Sequence, residues 1–180
     1  MYSLDKSRSF MAKAYFQVGS ARHPIGANYS DTIPVFGEKG WLFAGSGGRD
    51  YSFVELVMSF ECYRSQAGSD RLWKIDGIQS QLDLARGTLI EQSRNGYLGL
   101  YKSSFDHKSS ESLWGLKGLD VENGLVTSTV DGVIWRDSSG RRVKLLTERD
   151  VGDLGVSPYL NTRKGEDGTL SLEILRVGMG

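Results

Sequence analysis

A chain of 180 residues, 39% hydrophobic and 24% charged, has the make-up of one globular domain and is too apolar for global disorder. Lys plus Arg and Asp plus Glu both number 22, so the bulk basic surplus of a nucleic-acid binder is missing, and a lone Cys62 excludes an internal disulfide. Twenty-three Gly against three Pro point to turns between strands rather than to long helices.

Residues 1–10 mix Asp5, Lys6 and Arg8 with serines and carry no apolar core. They are expected as a flexible lead-in rather than a secretory signal. No run approaches the roughly 18 apolar residues of a membrane helix. The default expectation is therefore a soluble cytoplasmic protein, with a virion or phage particle left open.

Ala12 to Val18 reads as a strand, and His23 before Pro24 falls in an extended connector. Thr32 to Phe36 and Trp41 to Ala44 are further strands. The Gly45-Ser46-Gly47-Gly48 run lacks the Gly-Lys-Ser/Thr ending of a phosphate loop and reads as a turn. Tyr51 to Tyr63 has two readings. As a strand it places Val54, Leu56, Met58, Phe60 and Cys62 in one unbroken apolar row; as a helix it aligns Phe53, Leu56, Val57 and Phe60. The longer period-two row favours the strand. Ile78 to Leu89 offers a helical face too, against which Gly87 counts.

The C-terminal half is punctuated by turn signals. Asn95-Gly96 between Thr88–Ser93 and Tyr97–Lys102 predicts a type I′ hairpin, because both residues tolerate positive φ. Asn123-Gly124 and Asp137-Ser138-Ser139-Gly140 are two further candidates. Leu170, Leu172 and Ile174 alternate with Ser171 and Glu173 in a half-buried strand. Ser103 to Ser112 and Val151 to Lys164, the latter with Pro158, read as irregular. Leu72-Trp73 to Ile78 resembles Leu113-Trp114 to Leu119, best explained by two strands that each bury a Leu-Trp pair and then bend at Gly.

Turn signals at this density predict a single mainly-β domain: an antiparallel sandwich or barrel with a hairpin meander in the C-terminal half. The alternative is an α+β fold with one or two helices within 51–89.

Chemistry is sparse. His23, His107 and Cys62 are the only imidazole or thiol groups, so no metal or cofactor site is expected. Cys62 falls in the apolar row, where a thiol acts as a small hydrophobe rather than a nucleophile. No catalytic constellation stands out. The face of the 51–63 strand opposite its apolar row carries Phe53, Glu55, Ser59, Glu61 and Tyr63, an aromatic and acidic surface suited to a partner or a sugar. Arg136, Arg141, Arg142 and Lys144 form a basic patch. The leading expectation is a non-enzymatic β-rich binding or assembly module for a protein partner. The alternatives are a carbohydrate-binding or glycan-active protein and, third, nucleic-acid binding through the basic hairpin. Exposed strand edges are compatible with a homo-oligomer.

Overall fold

The computed structural model describes residues 1–29, 38–45, 52–66, 70–79, 88–101, 110–121, 128–149 and 156–178. Regular structure among them is strand throughout: β1 (Tyr2–Val18), β2 (Ala21–Tyr29), β3 (Glu38–Ala44), β4 (Ser52–Glu55), β5 (Val57–Ser65), β6 (Arg71–Gln79), β7 (Thr88–Gln92), β8 (Leu98–Tyr101), β9 (Gly115–Lys117), β10 (Thr129–Arg136), β11 (Lys144–Arg149), β12 (Val156–Asn161), β13 (Glu166–Asp167) and β14 (Thr169–Val177). The ladders are antiparallel. Seven strands close a barrel in the order β1–β2–β3–β8–β7–β6–β5 and back to β1. Closure removes free edges from this part of the sheet. The mainly-β antiparallel class anticipated from the turn spacing is observed, and of the sandwich and barrel it left open the chain forms a barrel with extra strands.

The sheet branches where one edge of a strand is shared between two partners. β14 runs along one edge of β1 from Phe10 to Gln17. The other edge is divided between β5, which pairs as far as Lys13, and β2, which pairs from Tyr15 to Val18. Ala14, Ile25 and Leu56 are buried at this fork, and the Leu56 N–H, between β4 and β5, donates to the Ile25 carbonyl at 3.2 Å. Gly26 is needed beside it, since a Cβ would run into the Val54 carbonyl and the Phe53 ring. In the same way β6 pairs with β5 on one edge, and on the other with β7 at Asp76 and Gly77 but with Trp114 at Trp73. β3 pairs with β2 on one edge, and on the other with β8 at Glu38 and Trp41 but with β12 at Phe43.

Alternation sends one side of most strands into a single continuous core. Phe10, Ala12, Ala14 and Phe16 of β1 meet Met58, Phe60 and Cys62 of β5 and Leu170, Leu172 and Ile174 of β14, all buried. Phe10 and Phe60 stack with centroids 4.6 Å apart. Trp73, Trp114 and Trp135 fill the part enclosed by β6, β9 and β10, with the last two edge to face at 5.2 Å.

Several expectations are sharpened or corrected. Residues 2–10, expected as a flexible lead-in, form the first half of β1, with Tyr2–Asp5 paired to β5. Of the 51–63 segment, residues 52–63 are strand with a break at Leu56, and no helix occurs among the described residues of 51–89. The Asn95-Gly96 hairpin forms, but its turn is not type I′. The Gly96 N–H donates to the Ser93 carbonyl and the Ser93 N–H to Tyr97, so Arg94 and Asn95 are the central residues. Gly96, at φ +88°, takes the left-handed bulge position that follows a type I turn. Asp137 to Gly140 repeats this arrangement, after which the chain leaves β10 and pairs β11 with β12. Val156 to Asn161 is strand despite Pro158. β3 covers its second edge only at Tyr159, so the missing donor interrupts no continuous ladder there. His23 lies within β2, opposite Phe16. The two Leu-Trp segments are neighbours, bridged antiparallel at Trp73 and Trp114. Thr32 to Phe36, Ser46 to Gly48 of the Gly-rich turn, the Asn123-Gly124 turn, His107 and most of Ser103 to Ser112 lie outside the described residues.

Candidate functional site

The β3 fork gathers aromatic rings on the outer face of the barrel. Leu42 and Ala44 point into the core, so Trp41 and Phe43 point outward. On β8 Leu98 and Leu100 are inward, which leaves Gly99 and Tyr101 on the outer face next to Tyr97. On β12 Leu160 is inward and Tyr159 outward. Register then brings Trp41 opposite Gly99, and Phe43 between Gly26 and Tyr159. Tyr97 is edge-on to both Trp41, at 5.5 Å, and Tyr159, at 5.4 Å, and Tyr159 lies 4.7 Å from Phe43. Phe43 is buried beneath this group, whereas Trp41, Tyr97 and Tyr159 remain half-buried.

Glu148 of β11 anchors the cluster. The Tyr97 hydroxyl is 2.8 Å from each of its carboxylate oxygens. Burial, followed by this bond and the Glu148 charge, pushes the Tyr97 phenol up to about 12. Tyr97 is therefore a neutral donor across the physiological range.

The residues anticipated on β4 and β5 divide into two groups. The Phe53 ring rests against Gly26, the cross-strand neighbour of Phe43, so Phe53 borders the aromatic cluster. Glu55 is opposite Gly26 and exposed. Ser59, Glu61 and Tyr63 share the outer face of β5 with Lys74 and Asp76 of β6. Lys74 Nζ is 2.8 Å from Asp76 and 3.2 Å from Glu61, and the Tyr63 hydroxyl donates to Glu61 at 3.3 Å. Burial raises the Asp76 carboxyl above its ordinary value while Lys74 opposes the rise. Ser59 and Tyr63 are themselves buried, so this face is a satisfied ion network.

The basic residues also separate. Arg136 points a guanidinium N–H at the Gly140 carbonyl, 3.4 Å away. Arg141, Arg142 and Lys144 converge with Thr162, Arg163 and Asp167 on an open groove of about 470 Å³. No set of three metal-ligating side chains occurs among the described residues. The Cys62 thiol is buried, and burial pushes it up to about 11, far from the thiolate that nucleophilic chemistry requires.

Trp41, Tyr97, Tyr159 and Glu148 were not legible as a group, because they come from β3, β11, β12 and the residue before β8, which only long-range pairing brings together. Their one signal was outward-facing aromatics at alternate positions of short strands. Arg163 was missed because it follows a strand that its proline had disguised. No protein-family model, curated protein or solved structure matches this chain.

Proposed function

We propose that this chain is a non-enzymatic binding module that engages a protein partner through the outer face of β3, β8 and β12. The observation that carries this reading is the half-buried cluster of Trp41, Tyr97 and Tyr159 over Phe43, held by Glu148. Large rings with few rotatable bonds give up little entropy on docking, and Trp and Tyr are the residues that dominate interface energetics. Gly26 and Gly99 lack side chains of their own, and the Phe53 ring packs over the first while Tyr101 and Trp41 pack against the second, which extends the aromatic face. The ion network on β5 and β6 and the inert Cys62 give no support to a catalytic role.

A second reading draws on the same face: an aromatic platform beside a carboxylate also suits a sugar ring. Trp41 is the sole half-buried indole, since Trp73, Trp114 and Trp135 are all buried. Its fluorescence response to oligosaccharides distinguishes the two readings.

The test is quantitative capture of partners from the native cell extract, comparing the full chain with Trp41→Ala and Tyr159→Ala. Losing a central aromatic anchor costs about 2 kcal/mol or more, a drop in affinity of more than tenfold. Hydrogen exchange on the captured complex should then protect β3, β8 and β12. Capture that is unchanged by both substitutions, or protection confined to other strands, would sink the reading.

A further inference from the structure

The groove beside the Gly140 turn is a second surface, independent of the aromatic face. We propose that it is a binding site for a phosphate monoester. Its lining is assembled from separate segments: Arg141 and Arg142 after the turn, Lys144 at the start of β11, Thr162 and Arg163 after β12, and Asp167 in β13.

The backbone that presents these groups is fixed. Asn161 Oδ1 accepts from the N–H groups of Arg163 at 2.7 Å and Lys164 at 3.0 Å, and the Thr162 hydroxyl donates to Gln92 at 2.7 Å. On the other side, Asp137 Oδ1 accepts from the N–H groups of Ser139 and Arg141, each at 2.9 Å. A site held this way needs little reorganisation on binding.

Charge counting identifies the ligand. Arg141, Arg142, Lys144 and Arg163 supply four positive charges. The carboxylates facing them are Asp137, which takes the Arg141 Nε–H at 2.7 Å, and Asp167, which lies 3.7 Å from Arg142 and 3.4 Å from Lys144. Four cations against two carboxylates leave a surplus of two, which one dianionic monoester neutralises and one carboxylate does not. Arg163 makes no ion pair among the described residues. Asp167 holds its two cations at distances longer than a charge-assisted hydrogen bond, so a tetrahedral oxyanion with three acceptor oxygens is the better partner for them. The groove volume exceeds that of the phosphate group itself and leaves room for its carrier. No aromatic side chain lines it, so nucleobases find no stacking platform and a nucleic acid is disfavoured.

The experiment is a calorimetric titration of the full chain at fixed ionic strength with inorganic phosphate, with a phosphoserine peptide, and with the same peptide carrying Ser or Glu. Saturable binding of the phosphopeptide is expected, with the Glu peptide about tenfold weaker or worse. Inorganic phosphate matching the phosphopeptide would support the site and identify free phosphate as its source. Both test variants alter exposed side chains and leave the core untouched. Arg163→Ala should weaken binding about tenfold, and Asp167→Asn should tighten it several-fold by removing the resident competitor. The proposal is overturned if neither phosphate species binds, if the Glu peptide binds as tightly as the phosphopeptide, if Asp167→Asn leaves the affinity unchanged, or if a single-stranded oligonucleotide binds more tightly than either.

Discussion

Trp73 and Trp114 exchange both of their backbone hydrogen bonds, each 2.8 Å long, and so tie β6 to the segment that leads into β9. The Trp114 indole also donates to the Ile90 carbonyl at 2.8 Å, which brings β7 to the same point. Trp135, packed edge to face against Trp114, has a buried indole N–H with no acceptor among the described residues.

This asymmetry separates two otherwise similar substitutions. Trp114→Phe opens a void and strands the Ile90 carbonyl, adding a penalty of about 1–3 kcal/mol to the packing loss. Trp135→Phe opens a similar void but removes an unsatisfied donor. Urea unfolding should therefore find Trp114→Phe the less stable of the two.

Ser9 repairs an irregularity in β1. The register shifts between Asp5 and Phe10, and the buried Ser9 hydroxyl accepts from the Cys62 N–H at 3.0 Å and donates to the Asp5 carbonyl at 2.9 Å. Ser9→Ala leaves both groups without that partner and should cost about 1–3 kcal/mol. Ser7→Ala removes only an exposed bond to Asp5 and should stay within about 0.5 kcal/mol in the same unfolding assay.

Lys74→Met leaves Glu61 and Asp76 side by side without their shared cation. Because these groups are only partly buried, breaking the network in this way should cost about 1–3 kcal/mol at neutral pH, less than a fully buried pair. Burial already lifts Asp76 above its ordinary 3.8, and losing Lys74 lifts it further. A raised carboxyl favours the fold at low pH and loses that contribution as pH rises through its folded value. The deficit of Lys74→Met should thus shrink on acidification, read as a converging Tm between pH 7 and about pH 4.

Tyr97 makes the alkaline limb testable. Its folded value of about 12 lies above the ordinary 10.0, so the folded chain holds the phenolic proton more tightly than the unfolded one. The associated stability is complete below pH 10 and is lost as pH rises toward 12. Tyr97→Phe should flatten the fall in stability across this window, and the tyrosinate absorbance titration should lose its latest component.

The sequence was most legible where local geometry decided the outcome. The row from Leu56 to Cys62 announced a buried strand face, and Gly96 and Gly140 marked turns that need a left-handed residue. Long-range pairing left no such trace. A divided edge reads like any other stretch of strand, so nothing in β1 disclosed that Ala14 separates two partners. The resemblance between the two Leu-Trp segments was visible, yet their meeting face to face depends on how β9 returns to β6. The aromatic cluster was hidden for the same reason, whereas the groove was half visible: Arg141, Arg142 and Lys144 read as a basic patch, and only strand order adds Thr162, Arg163 and Asp167.

The divided edge of β1 has a consequence for how the chain reaches this state. One strand near the start of the sequence is zipped along its whole length, to its immediate successor β2, to β5, and finally to β14 near the far end. The last of these contacts spans nearly the entire chain, and closing so long a loop is slow compared with forming a local hairpin. During synthesis the outer edge of β1 from Phe10 to Gln17 must wait until β14 has left the ribosome. Throughout that interval it presents an unpaired apolar strand, the period in which this protein depends most on dilution or on chaperones.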